Sequence, residues 1–154
     1  MPSRPAKPAD LPRIMPYLTV RDVAAAMEFC QRAFGFEPRP EAIIQKPDGS
    51  LMHGESRFHE GVVMFGPQTD TGDESQAPQA GAVTASVSLY IYCDDVDALY
   101  VRATAAGALA DSQPQEMFWG DRICTFTDPD GHRWTFATNV SDFDPSKIPM
   151  NTSQ

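Results

Sequence analysis

Three short stretches of the sequence hold most of the side chains able to do chemistry. The first runs from His53 through Glu55 and Arg57 to His59, where strand alternation puts His53, Glu55 and Arg57 on one face. An imidazole beside a carboxylate can serve as an acid–base couple, as two metal ligands, or as the contact for a small ligand. The same face can also be purely structural, with Glu55 and Arg57 pairing across strands. The second stretch is Phe118-Trp119-Gly120-Asp121-Arg122. Its two rings can stack on a planar ligand or fill a core or a dimer interface. Arg122 can pair with Asp121, or offer its planar fork of donors to a ligand anion. The third is Asp128-Pro129-Asp130-Gly131-His132, a turn sequence beside which His132 has a solvated or turn-stabilising place rather than a catalytic one. Cys30, Cys93 and Cys124 are too few and too scattered for a disulfide framework or a zinc site, and no nucleophile motif surrounds them. Gly-rich phosphate loops, serine elbows and CxxC pairs are absent.

The elements that must position these residues follow from periodicity. Residues 14–20 alternate, with Leu18 and Val20 on one face and Met15, Tyr17 and Thr19 on the other. Asp22 is placed to cap a helix whose apolar stripe is Ala26, Phe29, Cys30, Ala33 and Phe34, and Gly35 to end it. Three short strands are expected over 42–45, 51–58 and 62–65, the first two joined by a Lys46–Gly49 turn and the last two by a tight turn at 59–61. The pattern then restarts. Residues 86–93 alternate, with Ser88, Tyr90 and Tyr92 on one face and Val87, Leu89 and Ile91 on the other. Asp94 or Asp95 caps a second helix with the stripe Val96, Leu99, Tyr100, Ala103 and Ala106, which Gly107 ends. Two strands flank the Asp128–Gly131 turn, where Pro129 presets φ and Gly131 accepts a positive one.

Asp22-Val23 and Asp95-Val96 are offset by about 73 residues, and the helix-ending glycines by about 72, the mark of a duplicated unit. The expected fold is therefore α+β: two tandem βαβββ modules whose curled mixed sheets enclose a cavity. The expected boundaries are a disordered tail over 1–13, modules over 14–67 and 85–140, a polar linker over 68–84 and a second tail over 141–154. A net charge of −9 without a basic cluster argues against nucleic acid. No apolar run is long enough to span a bilayer, so no membrane partner is expected. The first residues lack the apolar core of a signal peptide, which with the unpaired cysteines points to the cytoplasm.

The duplicated unit, together with PYLTV-RDVAAAMEFCQRAFGF and MFWGDRICTFTDPDGHRWTFATN, resembles the vicinal oxygen chelate superfamily. That group includes glyoxalase I, bleomycin-resistance proteins and extradiol dioxygenases. Within it, the two segments are similar to a glyoxalase-like branch related to phosphonate-operon proteins. The resemblance covers roughly residues 14–140. Ile123-Cys124 and Asn139 depart from that branch, which has an aromatic-glycine pair and often a histidine there. Metal-using members carry His, Glu or Gln at positions that fall here on Met15, Met64, Ser88 and Thr135. Thioethers and hydroxyls are poor ligands for a divalent ion, so no metal and no other cofactor is expected.

Three readings follow. The first is a metal-free protein that binds a small aromatic or amphipathic molecule, as the resemblance to bleomycin-resistance-type members implies, built as a homodimer. Its first module would offer Tyr17, His53, Glu55 and Met64, and its second Ser88, Tyr90, Tyr92, Trp119, Arg122 and Thr135. The second is a metal-dependent lyase, isomerase or dioxygenase using an atypical ligand set around His53 and Glu55. The third is a non-catalytic dimerisation scaffold.

Overall fold

A computed structural model describes residues 3–69, 76–78 and 85–149. The chain divides into two compact units, 1–83 and 84–154. Most of the stretch expected as a linker, 68–84, lies outside the described residues.

In the first unit, β1 (Tyr17–Val20) leads into α1 (Val23–Phe34). Asp22 takes extended backbone geometry and its side chain accepts from Ala25 N at 2.9 Å, the expected N-cap. Gly35 ends the helix at φ 81°. The buried stripe is Val23, Met27, Phe29, Cys30, Ala33 and Phe34. Ala26, expected in it, is only half-buried, and Met27 takes the deeper place because Gly54 leaves a hollow beneath it. A Cβ at Gly54 would come within 3.1 Å of Val23 Cγ1 and 3.3 Å of Met27 Cε.

The short strands β2 (Glu37–Pro38) and β3 (Ile44–Gln45) both pair with β4 (Leu51–Phe58), which turns back into β5 (Gly61–Pro67). Of the strand expected over 42–45, Ile44–Gln45 forms, while Ala42 ends a 3₁₀ turn over Pro40–Ala42, where Pro40 fixes the φ of a first helical position. The sheet order is β1-β5-β4-β2, with β1 and β5 parallel and the other pairs antiparallel. β1 starts at Tyr17 rather than residue 14, although Pro16 O still accepts from Met64 N at 2.9 Å.

The second unit repeats this plan. β6 (Ser88–Tyr92), α2 (Val96–Ala105), β7 (Leu109–Ala110), β8 (Gln115–Glu116), β9 (Asp121–Thr127) and β10 (Arg133–Asn139) form a sheet of order β6-β10-β9-β7, with β8 also on β9. Again the first and last strands are parallel. Asp95, not Asp94, caps α2, accepting from Ala98 N at 3.0 Å. Thr138 adds a second cap that the sequence did not announce: its Oγ1 accepts from Val96 N at 2.9 Å and donates to Cys93 O at 3.0 Å. Two tandem modules of one order in an α+β fold are thus what the repeat predicted.

The β9–β10 hairpin closes as its turn sequence requires, with Gly131 at φ 89° and its N–H 3.0 Å from Asp128 O. The Asp128 carboxylate holds the turn. Oδ1 accepts from the N–H groups of Asp130 and His132, each at 2.9 Å, and Oδ2 accepts from Trp134 Nε1 at 2.9 Å. Burial pushes this carboxyl above its ordinary range despite those bonds. Trp134, Phe136 and Phe126 lie fully buried on the side of the sheet that also carries Cys124.

Candidate functional site

Strand register divides the second sheet into two faces. Ser88, Arg133 and Thr127 form one row across β6, β10 and β9; Tyr90, Thr135 and Thr125 form the next; Tyr92, Ala137 and Ile123 the third. These rows lie on the face away from Trp134 and Phe136. At its end Asp121 stands opposite Asn139.

Asp121 is the hub of this face. It is 2% exposed, and its Oδ2 accepts from Tyr90 Oη at 2.6 Å and Tyr92 Oη at 2.8 Å. Its Oδ1 accepts from Asn139 Nδ2 at 2.9 Å. Trp119 Nε1 donates to Tyr90 Oη at 3.0 Å, so a third ring joins the set. The turn from Met117 to Gly120 makes this possible: Gly120 sits at φ 99°, and its carbonyl accepts from Val140 N and Ser141 N at 2.9 and 3.1 Å. A Cβ there would collide with the Ser141 backbone. The rings stay open to solvent, Tyr90 at 45% and Tyr92 at 58% exposed, and meet edge to face at 5.7 Å.

The electrostatics follow from this geometry. Burial works to raise the Asp121 carboxyl, but the bonds from Tyr90, Asn139 and Tyr92 outweigh it and hold the group below its ordinary range. Tyr90 is pushed up to about 12, first by desolvation and then by its bond to Asp121. The bond to Asp121 is also the main cause that raises Tyr92. At neutral pH the cluster is thus one carboxylate with two neutral phenols.

Arg122 does not belong to it. The Asp121–Arg122 pair suggested by their adjacency is not formed, because neighbouring strand residues point to opposite faces. Arg122 instead reaches Asp97 on α2 through two bonds, Nε to Oδ2 at 2.9 Å and Nη2 to Oδ1 at 2.8 Å. Its fork is thereby committed away from the tyrosine face. Thr135 is buried and bonds Thr125 Oγ1 at 2.9 Å, while Ser88 is exposed at the opposite end of the face. Burial pushes the Cys124 thiol up to about 11, and Sγ donates to Ser112 O, the state of a packed thiol rather than a nucleophile.

The first unit gathers a different set. Tyr17, Met64 and Glu55 form one row across β1, β5 and β4. The Tyr17 ring lies over Gly66, where a Cβ would come within 2.7 and 2.8 Å of ring carbons, and reaches His53 at a centroid distance of 5.8 Å. His53 Nε2 is 3.1 Å from Glu55 Oε2, while Glu55 Oε1 accepts a short bond from Arg39 Nη1. Arg39 also contacts Asp10 Oδ2 at 2.7 Å and Glu41 Oε1 at 3.1 Å. Arg39 and Glu55 are 8% and 7% exposed. The expected cross-strand pairing of Glu55 with Arg57 is replaced by these contacts, and Arg57 donates to Asp10 O at 2.7 Å. Arg39 carried no signal in the sequence, since it lies between Pro38 and Pro40 and meets its partner 16 residues on. Among the described residues, no group of three or more His, Cys, Asp or Glu side chains is placed to hold a metal ion. Nor is any helix there long and apolar enough to cross a membrane.

Similarity to known proteins agrees with this architecture. The profile of the Glyoxalase/Bleomycin resistance protein/Dioxygenase superfamily matches residues 11–136. The uncharacterized protein Mb0911c of Mycobacterium bovis is 31% identical over 139 residues, covering 89% of this chain and 90% of its own. Rv0887c of Mycobacterium tuberculosis is equally similar, with 80% of its length covered. Among solved structures, TioX from Micromonospora sp. ML1 aligns with a TM-score of 0.64 at 25% identity, over 84% of this chain and 99% of TioX. TnmS3 from Streptomyces sp. CB03234, an antibiotic binding protein, shares the fold with a TM-score of 0.59 at 22% identity, over 82% of this chain and 93% of its own. The chain belongs to the glyoxalase/bleomycin resistance protein/dioxygenase superfamily.

Proposed function

We propose that this chain binds a small planar aromatic or amphipathic molecule, without a metal ion, using the tyrosine face of the second unit as its platform. The observation that carries this reading is the tethering of Tyr90 and Tyr92 to one buried carboxylate, with Trp119 bonded to Tyr90, while the tyrosine rings remain exposed. Rings held in place before binding lose little freedom when a ligand stacks on them. Each aromatic contact is worth ~0.5–1.5 kcal/mol beyond its buried area. An antibiotic binding protein among the fold neighbours supports the reading.

Donor chemistry supports the metal-free part. The four positions that the resemblance assigns to metal ligands carry Met15, Met64, Ser88 and Thr135, which offer neither negative charge nor imidazole. Thr135 already bonds Thr125, and both Glu55 oxygens are engaged, one by Arg39 and one by His53. These residues do not fit a divalent ion. A kinship with the phosphonate-operon-related branch, which rests on the two sequence segments, and a homodimeric state, which rests on the resemblance to bleomycin-resistance-type members and which light scattering would read, belong to the same proposal.

The test uses Trp119, which lies on the platform, against Trp134, which is buried. Planar aromatic compounds of two to four rings, with a neutral anthraquinone among them, are titrated while tryptophan fluorescence is followed. Saturable quenching is expected, with affinity at least tenfold weaker in Tyr92→Ala. Quenching that Tyr92→Ala leaves unchanged, or none from any compound, would overturn the reading.

A further inference from the structure

We infer that His53 of the first unit is a second ligand site, a fixed hydrogen-bond acceptor for a neutral phenol-type hydroxyl. Glu55 is held between two donors. Its Oε1 receives Arg39 Nη1 and its Oε2 faces His53 Nε2 at 3.1 Å. A carboxylate only accepts, so His53 Nε2 must carry the hydrogen, and in the neutral ring Nδ1 then keeps its lone pair. No described residue donates to Nδ1. The arrangement is a chain in which Arg39 fixes Glu55 and Glu55 fixes the tautomer of His53. Arg39 and Glu55 are positioning residues, and His53 is the contact.

The surroundings define the ligand class. Tyr17, 57% exposed, tilts beside the imidazole at 38°. Ile44, directly opposite His53 on β3, is 47% exposed. An exposed aromatic ring and an exposed aliphatic side chain thus lie beside the imidazole and suit the ring that bears the hydroxyl. Around it stand Arg39 and Arg57 against Asp10, Glu41 and Glu55, a balance of one negative charge that disfavours a carboxylate or phosphate ligand. The charge balance excludes an anionic ligand, and the apolar flanks favour a neutral donor over a strongly hydrated cation. The inference stands on the first unit alone and is independent of the tyrosine platform.

The test is nitrogen-detected magnetic resonance of the histidine rings of the full chain near neutral pH, with His53 assigned by His53→Asn. The probe is 4-fluorophenol, and the control is 4-fluoroanisole, which has the same ring with its oxygen methylated. The expected result is an Nε2–H tautomer at His53 and a saturable shift of Nδ1 with the phenol, at least fivefold larger than with the anisole. Glu55→Gln should abolish the tautomer preference and the difference between the probes. The wild-type spectra decide the matter should that variant fail to fold. An Nδ1–H tautomer, equal shifts from both probes, or no shift at millimolar phenol would overturn the inference.

Discussion

Replacing Asp121 with Asn tests whether one buried carboxylate organises the tyrosine face. The change is isosteric but leaves a single acceptor oxygen where two served Tyr90, Tyr92 and Asn139. If that oxygen keeps the tyrosines, the new amide nitrogen faces the Asn139 nitrogen, and a charge-assisted bond becomes a meeting of two donors. Loss of one such buried bond costs ~2 kcal/mol. With a urea slope of ~1 kcal/mol per M for a unit of this size, the unfolding midpoint should fall by ~2 M. Both tryptophans, Trp119 and Trp134, belong to the second unit, so fluorescence reads the unfolding of that unit. The pH dependence has a definite sign. The Asp121 carboxyl is depressed in the folded state, so its contribution is present above the unfolded value of ~3.9 and is lost as pH falls through the lower folded value. The gap between wild type and Asp121→Asn must therefore narrow in acid. Ultraviolet absorbance offers a second readout. Tyr90, pushed up to about 12, should ionise earlier in the variant, though not at the free value, because its burial remains. A midpoint within ~0.3 M of wild type, too small for a lost charge-assisted bond, would refute the reasoning, as would a gap that does not change with pH.

Three further outcomes follow from the packing. Arg39→Ala strands Glu55, 7% exposed, without its cationic partner and should destabilise the first unit by ~3 kcal/mol, read by circular dichroism in denaturant. Gly54→Ala drives a methyl group into Met27 and Val23 beneath α1 and should cost ~1–3 kcal/mol by the same assay. Ellman's reagent at mildly alkaline pH should modify half-buried Cys93 before Cys124, whose thiol burial pushes up to about 11, and neither at the rate of an activated cysteine.

The sequence disclosed the fold because the fold rests on local rules. Asp22 and Asp95 cap, Gly35 and Gly107 take positive φ, and the Asp128–Gly131 turn closes a hairpin whose flanks are β-branched and aromatic. Each rule acts within a few residues, and the duplication states the plan twice. The candidate sites were legible only as faces. Alternation put Tyr90 with Tyr92, and His53 with Glu55, but it could not name Asp121 as the tether, because the tyrosines lie 29 and 31 residues before it. Arg39 was hidden for the same reason, and Arg122 went to Asp97 across 25 residues. Met27 was passed over because the hollow it fills is made by Gly54 on another strand. Side-chain partners set by tertiary register do not show in periodicity.

Calorimetric titration of one quenching compound, in chelator and again with added zinc or nickel, tests the central claim most directly. The account predicts saturable binding in chelator, unchanged by the metals and weakened at least tenfold in Tyr92→Ala. Binding that requires an added metal, or that Tyr92→Ala leaves intact, would contradict it.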